Sequence, residues 1–191
     1  MRIGIDIDGV LTDIYRAMID DSSKFCYENN IDFEFSTEEY DDYKLLGISK
    51  EDTIKFWNAY LVQYVINCPV RKYAQEVISR LKENNEIYII TARDEYGMPE
   101  DAYGKMQELT KEWLNKNNIQ YDRLIFTQEK LKTCKENKID IMIDDSPKNI
   151  WEVSKEIKTF CYDNPYNKEV NGSNIVRIYS WYDILNRIEK M

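Results

Sequence analysis

The sequence has 191 residues, a formal net charge of −9 and no histidine. This length fits one domain with a sizeable core, and the acidic balance argues against a nucleic-acid-binding protein and favours small diffusible substrates. Without histidine, Ser-His-Asp catalysis, histidine-ligated zinc and imidazole proton transfer are excluded, so acid–base chemistry must fall to carboxylates, Lys, Tyr or Cys.

Cysteine spacing and hydropathy indicate a cytoplasmic protein. The four cysteines are far apart and form no Cys-x-x-Cys pair, which is typical of reduced, mostly buried thiols. No apolar run approaches the roughly 18 residues of a membrane span, and no basic leader with an apolar run precedes the first strand. We therefore expect neither export nor membrane insertion.

The chain begins with a pattern that predicts a short buried strand ending in carboxylates. Ile3, Ile5 and Ile7 alternate, and Asp6 and Asp8 are separated by one residue and followed by a glycine. Aspartate has poor strand propensity and is costly to bury unless it is paired or binds a cation. The segment is therefore either a solvated turn at a strand end or part of a site.

Residues 14–69 lack reliable strand alternation and are rich in aromatic side chains. We predict that they form a small helical cap inserted into a core domain of residues 1–13 and 70–191. Asp13 is interpreted as the N-cap of the first cap helix. Apolar residues at helical spacing predict a further helix over 50–66, with its buried face formed by Ile54, Trp57, Leu61, Tyr64 and Val65. These aromatics are interpreted as cap core more readily than as a ligand platform.

From Pro69 onward, helices and strands alternate regularly. The patterns predict strands at 87–91, 124–127, 139–143, 159–162 and 175–178. They also predict one helix before the first of these strands, helices between most successive strands, and one helix after the last strand. A polar loop surrounds residues 164–167, and Ser180 is expected to cap the last helix. This order predicts an α/β fold with a doubly wound parallel sheet.

Three of the predicted strands end in polar residues that suit one another. In such a sheet the ligand lies beyond the carboxyl ends of the strands, so these side chains should converge. Carboxylates about 5 Å apart repel by about 3 kcal/mol at an effective dielectric of 20, and a hard divalent cation such as Mg²⁺ removes that repulsion. The converging groups are Asp6 and Asp8, Thr91-Ala92-Arg93, Asp144-Asp145, and a lysine from Lys130 or Lys132.

This inventory suits phosphoryl transfer without histidine. An aspartate can attack a phosphoryl group to form an aspartyl-phosphate, while a second carboxylic acid protonates the leaving oxygen and then activates water. Lysine and Mg²⁺ neutralise charge on the transferring group, and a threonine hydroxyl orients its oxygens.

The same residues resemble a known group of enzymes. The chain is similar to the haloacid dehalogenase superfamily of phosphatases and phosphotransferases over residues 1–13 and 70–162, and within it most resembles the 5′(3′)-deoxyribonucleotidase family. The supporting features are the Gly9–Asp13 turn, the helical cap after the first motif, and the ordered motifs Asp6-Ile7-Asp8-Gly9-Val10-Leu11, Thr91-Ala92-Arg93, a lysine, and Ile143-Asp144-Asp145.

The resemblance implies a role for each motif aspartate. It implies that Asp6 is the nucleophile and a Mg²⁺ ligand. It implies that Asp8 is the acid–base and offers its backbone carbonyl to the metal. Asp145 resembles the direct metal ligand, and Asp144 resembles a companion that reaches the metal through water or holds the lysine. One aspartate of this pair could also cap the helix that follows Ser146.

The phosphate-binding residues are implied in the same way. Thr91 is expected to bind the phosphate through its hydroxyl, beside Ala92. Arg93 is expected either to contact substrate or to pair with an acidic neighbour. Lys130 is the favoured phosphate lysine because it begins a short helix leading back to the aspartate strand. Lys132 is the second choice, and Lys135 is a third candidate.

These residues predict a Mg²⁺-dependent phosphomonoesterase for a small phosphorylated metabolite, with deoxynucleoside monophosphates as the leading substrates. One alternative keeps the site and changes the substrate to a sugar phosphate or another metabolite, with hydrolysis or phosphotransfer. Another is a catalytically silent binding protein on the same fold. No nucleic-acid or membrane partner is expected, and the sequence leaves a homodimer open.

Overall fold

The computed structural model describes residues 1–191, which form one six-stranded sheet and eight α-helices. The strands are β1 (Arg2–Ile5), β2 (Glu86–Thr91), β3 (Arg123–Phe126), β4 (Ile141–Asp144), β5 (Lys158–Tyr162) and β6 (Ile175–Ile178). The helices are α1 (Ile14–Asn29), α2 (Asp42–Leu46), α3 (Lys50–Asn67), α4 (Ala74–Lys82), α5 (Met106–Lys116), α6 (Lys130–Glu136), α7 (Pro147–Val153) and α8 (Trp181–Ile188).

The sheet is entirely parallel, with strand order β3-β2-β1-β4-β5-β6. From the centre of the sheet, β1, β2 and β3 follow one another to one edge, and β4, β5 and β6 follow one another to the other edge. The direction of the strand order therefore reverses between β1 and β4. Ile5 lies opposite Ile89 on one side and Ile143 on the other. The predicted doubly wound α/β fold is confirmed. Ligands bind at the reversal point in such sheets, and Asp6 follows β1 there.

Helices cover both faces of the sheet, which explains why the inner strands are almost continuously apolar. On one face, α4, α5 and α8 pack against a cluster that contains Ile3, Ile5 and Ile143. On the other face, α6 and α7 pack against Ile90 and Met142. Each fully buried isoleucine stabilises the fold by about 1.5–3 kcal/mol relative to exposure, and this burial fixes the strand ends in place.

Helices α1, α2 and α3 lie between β1 and β2 in the chain and form their own apolar cluster. Thr12 and Val70 form an isolated antiparallel bridge at the two ends of this segment. Asp13 caps α1 as expected, accepting a hydrogen bond from the backbone N–H of Arg16 at 3.2 Å. In α3, Ile54 is 41% exposed, so its placement on the buried face was wrong, and Thr53 is buried instead.

The cysteine side chains and the helix compositions can be compared with two further predictions from the sequence. All four cysteines are buried and unpaired in the structure. No helix combines the length and apolar character that a membrane crossing requires.

Candidate active site

The loop after β1 is a tight turn that presents two aspartates at the sheet edge. The backbone N–H groups of Val10, Leu11 and Thr12 all donate to the carbonyl of Ile7. Gly9 has φ +82°, and a Cβ there would lie 1.9 Å from Asp145 Oδ2. Only glycine fits both this conformation and this approach, which explains the glycine after the Asp-x-Asp pair.

Lys130 is the cation at the centre of the acidic cluster. Its Nζ lies 2.8 Å from Asp6 Oδ2 and 2.6 Å from Asp144 Oδ2, and its side chain is 2% exposed. The other two candidate lysines are exposed. Lys132 pairs with Glu129, which precedes α6, and Lys135 pairs with a glutamate beyond α7. Of the three lysines, only Lys130 contacts the predicted nucleophile.

Three buried carboxylates lie close enough to hold one metal ion. The ligand oxygens of Asp6, Asp144 and Asp145 are all within 4.8 Å of one another. Burial raises the pKa of Asp6 to about 7, although Lys130 works against this. Burial, together with the charges of Asp144 and Asp6, also raises the pKa of Asp145 well above its usual value. Three carboxylates facing one ammonium form a donor set of hard oxygens that fits Mg²⁺.

The adjacent aspartates of the last motif make different contacts. Both oxygens of Asp144 accept hydrogen bonds, Oδ2 from Lys130 and Oδ1 from the backbone N–H of Ser146 at 2.9 Å. Asp145 accepts through Oδ2 from the Tyr166 hydroxyl. Asp144 is therefore committed to the lysine and the start of α7, whereas Asp145 keeps Oδ1 without a hydrogen-bond donor. Ser146 occupies the N-cap position without a capping side-chain hydrogen bond.

Asp8 points away from this cluster toward Arg93 and α3. Arg93 donates two hydrogen bonds to its carboxylate, from Nε at 2.8 Å and from Nη2 at 2.7 Å. The Tyr64 hydroxyl donates to Asp8 Oδ1 at 2.5 Å and lies 2.8 Å from Thr12 Oγ1. Burial alone would raise the pKa of Asp8, but the charge and hydrogen bonds of Arg93 and the Tyr64 hydroxyl outweigh it and lower that pKa.

The segment after β2 completes the wall opposite the aspartates. Thr91 is buried, and its Oγ1 accepts the backbone N–H of Arg93 at 3.2 Å. The carbonyl of Ala92 accepts a hydrogen bond from Gln128 Nε2 at 2.7 Å. A cavity of about 230 Å³ is lined, among others, by the predicted residues Asp6, Asp8, Thr91, Ala92, Arg93 and Lys130.

A second cavity opens beside the first, between helices α1–α3 and the sheet edge. It has a volume of about 430 Å³, and Asp8 lines both cavities. Its walls include five tyrosines, and Asp145 lies among its lining residues. The two cavities together offer a polar end for a phosphate and an aromatic end for a flat group. The tyrosines are Tyr15, Tyr40, Tyr43, Tyr96 and Tyr166.

Sequence reasoning missed two tyrosines that contact the site carboxylates. Tyr64 fits the apolar period of α3 and is indistinguishable there from a core residue. Tyr166 lies in a turn after β5, in the polar loop that the sequence marked but left without a role. Its position beyond the carboxyl end of a strand beside β4 is the signal that could have identified it.

Comparisons with known proteins match this chain over its whole length. A family model described as 5′ nucleotidase, deoxy (pyrimidine), cytosolic type C protein matches residues 1–191. A nucleotidase of Clostridium acetobutylicum is 29% identical over 194 residues, spanning 100% of this chain and 95% of the relative.

Two solved structures share the fold. A haloacid dehalogenase-like hydrolase from Streptococcus pneumoniae matches with a TM-score of 0.67 and 11% identity, over 98% of this chain and 97% of that one. The D,D-heptose 1,7-bisphosphate phosphatase of B. bronchiseptica, complexed with magnesium and phosphate, matches with a TM-score of 0.58 and 7% identity, over 99% and 98% of the two chains.

Proposed function

Since this chain belongs to the cytosolic type C family of deoxy (pyrimidine) 5′ nucleotidases and is a phosphoric monoester hydrolase, we propose that it dephosphorylates deoxynucleoside monophosphates through Asp6. The observation that carries the proposal is the placement of Lys130 between Asp6 and Asp144, at one end of a cavity that continues into an aromatic one. A phosphate and a flat base on one substrate match these two ends.

In the first step, Asp6 attacks phosphorus. A bond forms between an Asp6 carboxylate oxygen and phosphorus, and the bond from phosphorus to the leaving sugar oxygen breaks. Asp8 gives that oxygen a proton. Lys130 offsets negative charge beside Asp6, and the Thr91 hydroxyl, whose oxygen accepts a backbone N–H, has its proton free to donate to a phosphate oxygen.

In the second step, water hydrolyses the aspartyl-phosphate. Asp8, now ionised, takes a proton from the water as its oxygen attacks phosphorus, and Asp6 leaves as a free carboxylate with release of inorganic phosphate. The lowered pKa of Asp8 favours this base role and works against the acid role of the first step, because Arg93 and Tyr64 stabilise the carboxylate form.

The acidic cluster suits a Mg²⁺ cofactor. Asp6 and Asp145 would hold the ion directly, with Asp144 as companion and the backbone carbonyl of Asp8 as a further oxygen. The commitment of both Asp144 oxygens to Lys130 and Ser146 supports this division. When bound, Mg²⁺ supplies neutralisation of phosphate charge. The remaining expectations, a cytoplasmic location and a small phosphorylated metabolite as partner, belong to the same proposal.

The test is phosphate release from a panel of deoxynucleoside, ribonucleoside and sugar monophosphates, with and without Mg²⁺. We expect turnover of deoxynucleotides that requires both Mg²⁺ and Asp6, with loss in Asp6→Asn. Asp20→Asn is the matched control, because Asp20 is exposed on α1 and pairs only with Arg16. Turnover confined to sugar phosphates would overturn the substrate class, and full activity of Asp6→Asn would overturn the nucleophile.

A further inference from the structure

The turn after β5 contacts both loops that carry the acidic residues of the site. Asn164 donates its Nδ2 to the carbonyl of Gly9 at 3.1 Å, and Asn167 donates its Nδ2 to the carbonyl of Asp145 at 2.8 Å. Arg177 of β6 holds Asn167 in turn, donating Nη1 to its Oδ1 at 2.9 Å and Nη2 to its carbonyl at 2.8 Å. The turn is therefore fixed to the core on three sides.

Tyr166 lies within this turn and reaches the Asp145 side chain. Its hydroxyl donates to Asp145 Oδ2, and no other side chain donates a hydrogen bond to that carboxylate. Gly9 approaches the same carboxylate so closely that no Cβ fits between them. The carboxylate is thus confined between a phenol and a glycine backbone, and its Oδ1 remains available.

We propose that Tyr166 is a positioning residue for the divalent cation, holding the Asp145 carboxylate so that its remaining oxygen can bind the cation together with Asp6, with Asp144 as companion. The inference rests on the proposed Mg²⁺ dependence. A carboxylate within 4.8 Å of two others is repelled by them, and a single donor on Oδ2 opposes rotation of the Asp145 carboxylate out of the cluster.

The chemistry of the cation makes this role distinguishable from a general effect on charge. Mg²⁺ demands near-ideal octahedral geometry, whereas Ca²⁺ tolerates variable geometry and ligand number. A misoriented Asp145 should therefore weaken Mg²⁺ binding more than Ca²⁺ binding. A loss of negative charge or a general loosening of the fold should weaken both alike.

The Tyr166 ring also forms part of the aromatic cavity wall. Its centroid lies 6.2 Å from that of Tyr15 and 5.3 Å from that of Tyr40. Tyr166→Phe keeps this wall and removes only the hydroxyl. Tyr15→Phe is the matched control for cation binding, since Tyr15 lines the same cavity and its hydroxyl contacts no site carboxylate.

The experiment is calorimetric titration of Mg²⁺ and of Ca²⁺, each alone, into the full chain carrying the wild-type sequence, Tyr166→Phe or Tyr15→Phe. For Tyr166→Phe we expect the Kd for Mg²⁺ to rise on the order of 10- to 100-fold and the Kd for Ca²⁺ to rise less. The half-saturating Mg²⁺ concentration for turnover should rise with it, while kcat at saturating Mg²⁺ stays close to wild type. Tyr15→Phe should bind Mg²⁺ like the wild type.

The other results separate failure of the inference from failure of the proposed function. Wild-type Mg²⁺ affinity in Tyr166→Phe, or equal losses for Mg²⁺ and Ca²⁺, would remove the positioning role. A wild-type chain that binds no Mg²⁺ would remove it together with the cofactor. Mg²⁺ binding without phosphate release from any nucleotide would sink the proposed substrate alone, because calorimetry measures the contribution of Tyr166 without turnover.

Discussion

Asp6 and Asp8 are two residues apart, yet their carboxylates lie in opposite environments. Asp6 shares one ammonium, from Lys130, with Asp144 and lies close to Asp145, so burial and repulsion raise its pKa to about 7. Asp8 has a guanidinium to itself, from Arg93, and its pKa is lowered. The half of the site around Asp6 therefore has excess negative charge, whereas the half around Asp8 is neutral.

The difference separates two tasks. The half around Asp6 is built entirely from strand ends and α6 of the core, and its excess charge suits cation and phosphate binding. The half around Asp8 includes Tyr64 from α3, so the inserted helices contribute to the group assigned the proton transfers. In the proposed mechanism, the nucleophile and the cation ligands thus lie on the core, whereas the acid–base residue and the walls of the adjoining cavity also involve α3.

The largest expected effect follows from removing the only cation of the Asp6 half. Lys130→Met should lower kcat by at least about 10²-fold and, without metal, destabilise the protein by about 3–5 kcal/mol at alkaline pH. Denaturant unfolding at several pH values measures this. The raised pKa of Asp6 means that its charge is lost as pH falls through about 7, so the destabilisation should shrink at low pH. A pH-independent loss would contradict the charge imbalance.

A smaller effect is expected from breaking the ion pair between Arg93 and Asp8. Arg93→Met removes the charge that lowers the pKa of Asp8, so that pKa should rise and the carboxylate should be lost at higher pH. At saturating Mg²⁺, whose charge favours ionised Asp6, the acid limb of the pH profile of kcat should move upward by about 1–3 units. Arg123→Met is the control, because Arg123 is exposed at the opposite end of β3 and should leave the limb in place. An unmoved limb in Arg93→Met would show that Asp8 does not set it.

Removing the Tyr64 hydroxyl, which α3 contributes to the site, should shift the acid limb of the pH profile of kcat less than Arg93→Met does. Tyr64→Phe loses a neutral donor, and Arg93 still holds both oxygens of Asp8. We expect a loss of about 1.5–3 kcal/mol of stability for a hydrogen bond to a charged group, with an upward shift smaller than that of Arg93→Met. Tyr27→Phe, on the exposed face of α1, should change neither quantity. A shift as large as that of Arg93→Met would mean that the phenol orients the guanidinium.

The smallest effect should come from the second candidate lysine. Lys132 is exposed and pairs with Glu129, an arrangement worth at most about 1 kcal/mol. Lys132→Met should leave kcat and the Mg²⁺ requirement at wild-type values in the same phosphate-release assay. Loss of turnover in this variant would reassign the phosphate lysine.

The half around Asp6 was accessible from the sequence because each of its residues ends, directly follows or begins a regular element. Parallel strands place their carboxyl ends together, so Asp6, Asp144 and Asp145 could be brought to one edge before any coordinates were known. The choice of Lys130 over Lys132 rested on the start of α6. The doubly wound fold followed from the same alternation of strands and helices.

The half around Asp8 was less accessible because its partners are set by tertiary packing. Arg93 could be expected either to contact substrate or to pair with an acidic group, and only the fold shows that it pairs with Asp8. Tyr64 lies on a helical apolar stripe, where periodicity cannot separate a core ring from a hydroxyl directed at a carboxylate. Ile54 failed for a related reason, because periodicity cannot tell it from Thr53, the residue that α3 buries ahead of Trp57, Tyr64 and Val65.

The bridge between Thr12 and Val70 brings together the two ends of residues 14–69, the segment that we propose as an inserted cap. An engineer could treat this proposed cap as an exchangeable cassette, provided that a replacement keeps the apolar cluster that Tyr64 and Val65 of α3 form with Met106 of α5. A transplanted cassette would bring new walls for the substrate, but it would also replace the phenol that touches Asp8. In such chimeras, substrate preference and the pH optimum should change together, so a library of cassettes should be screened over pH as well as over substrates.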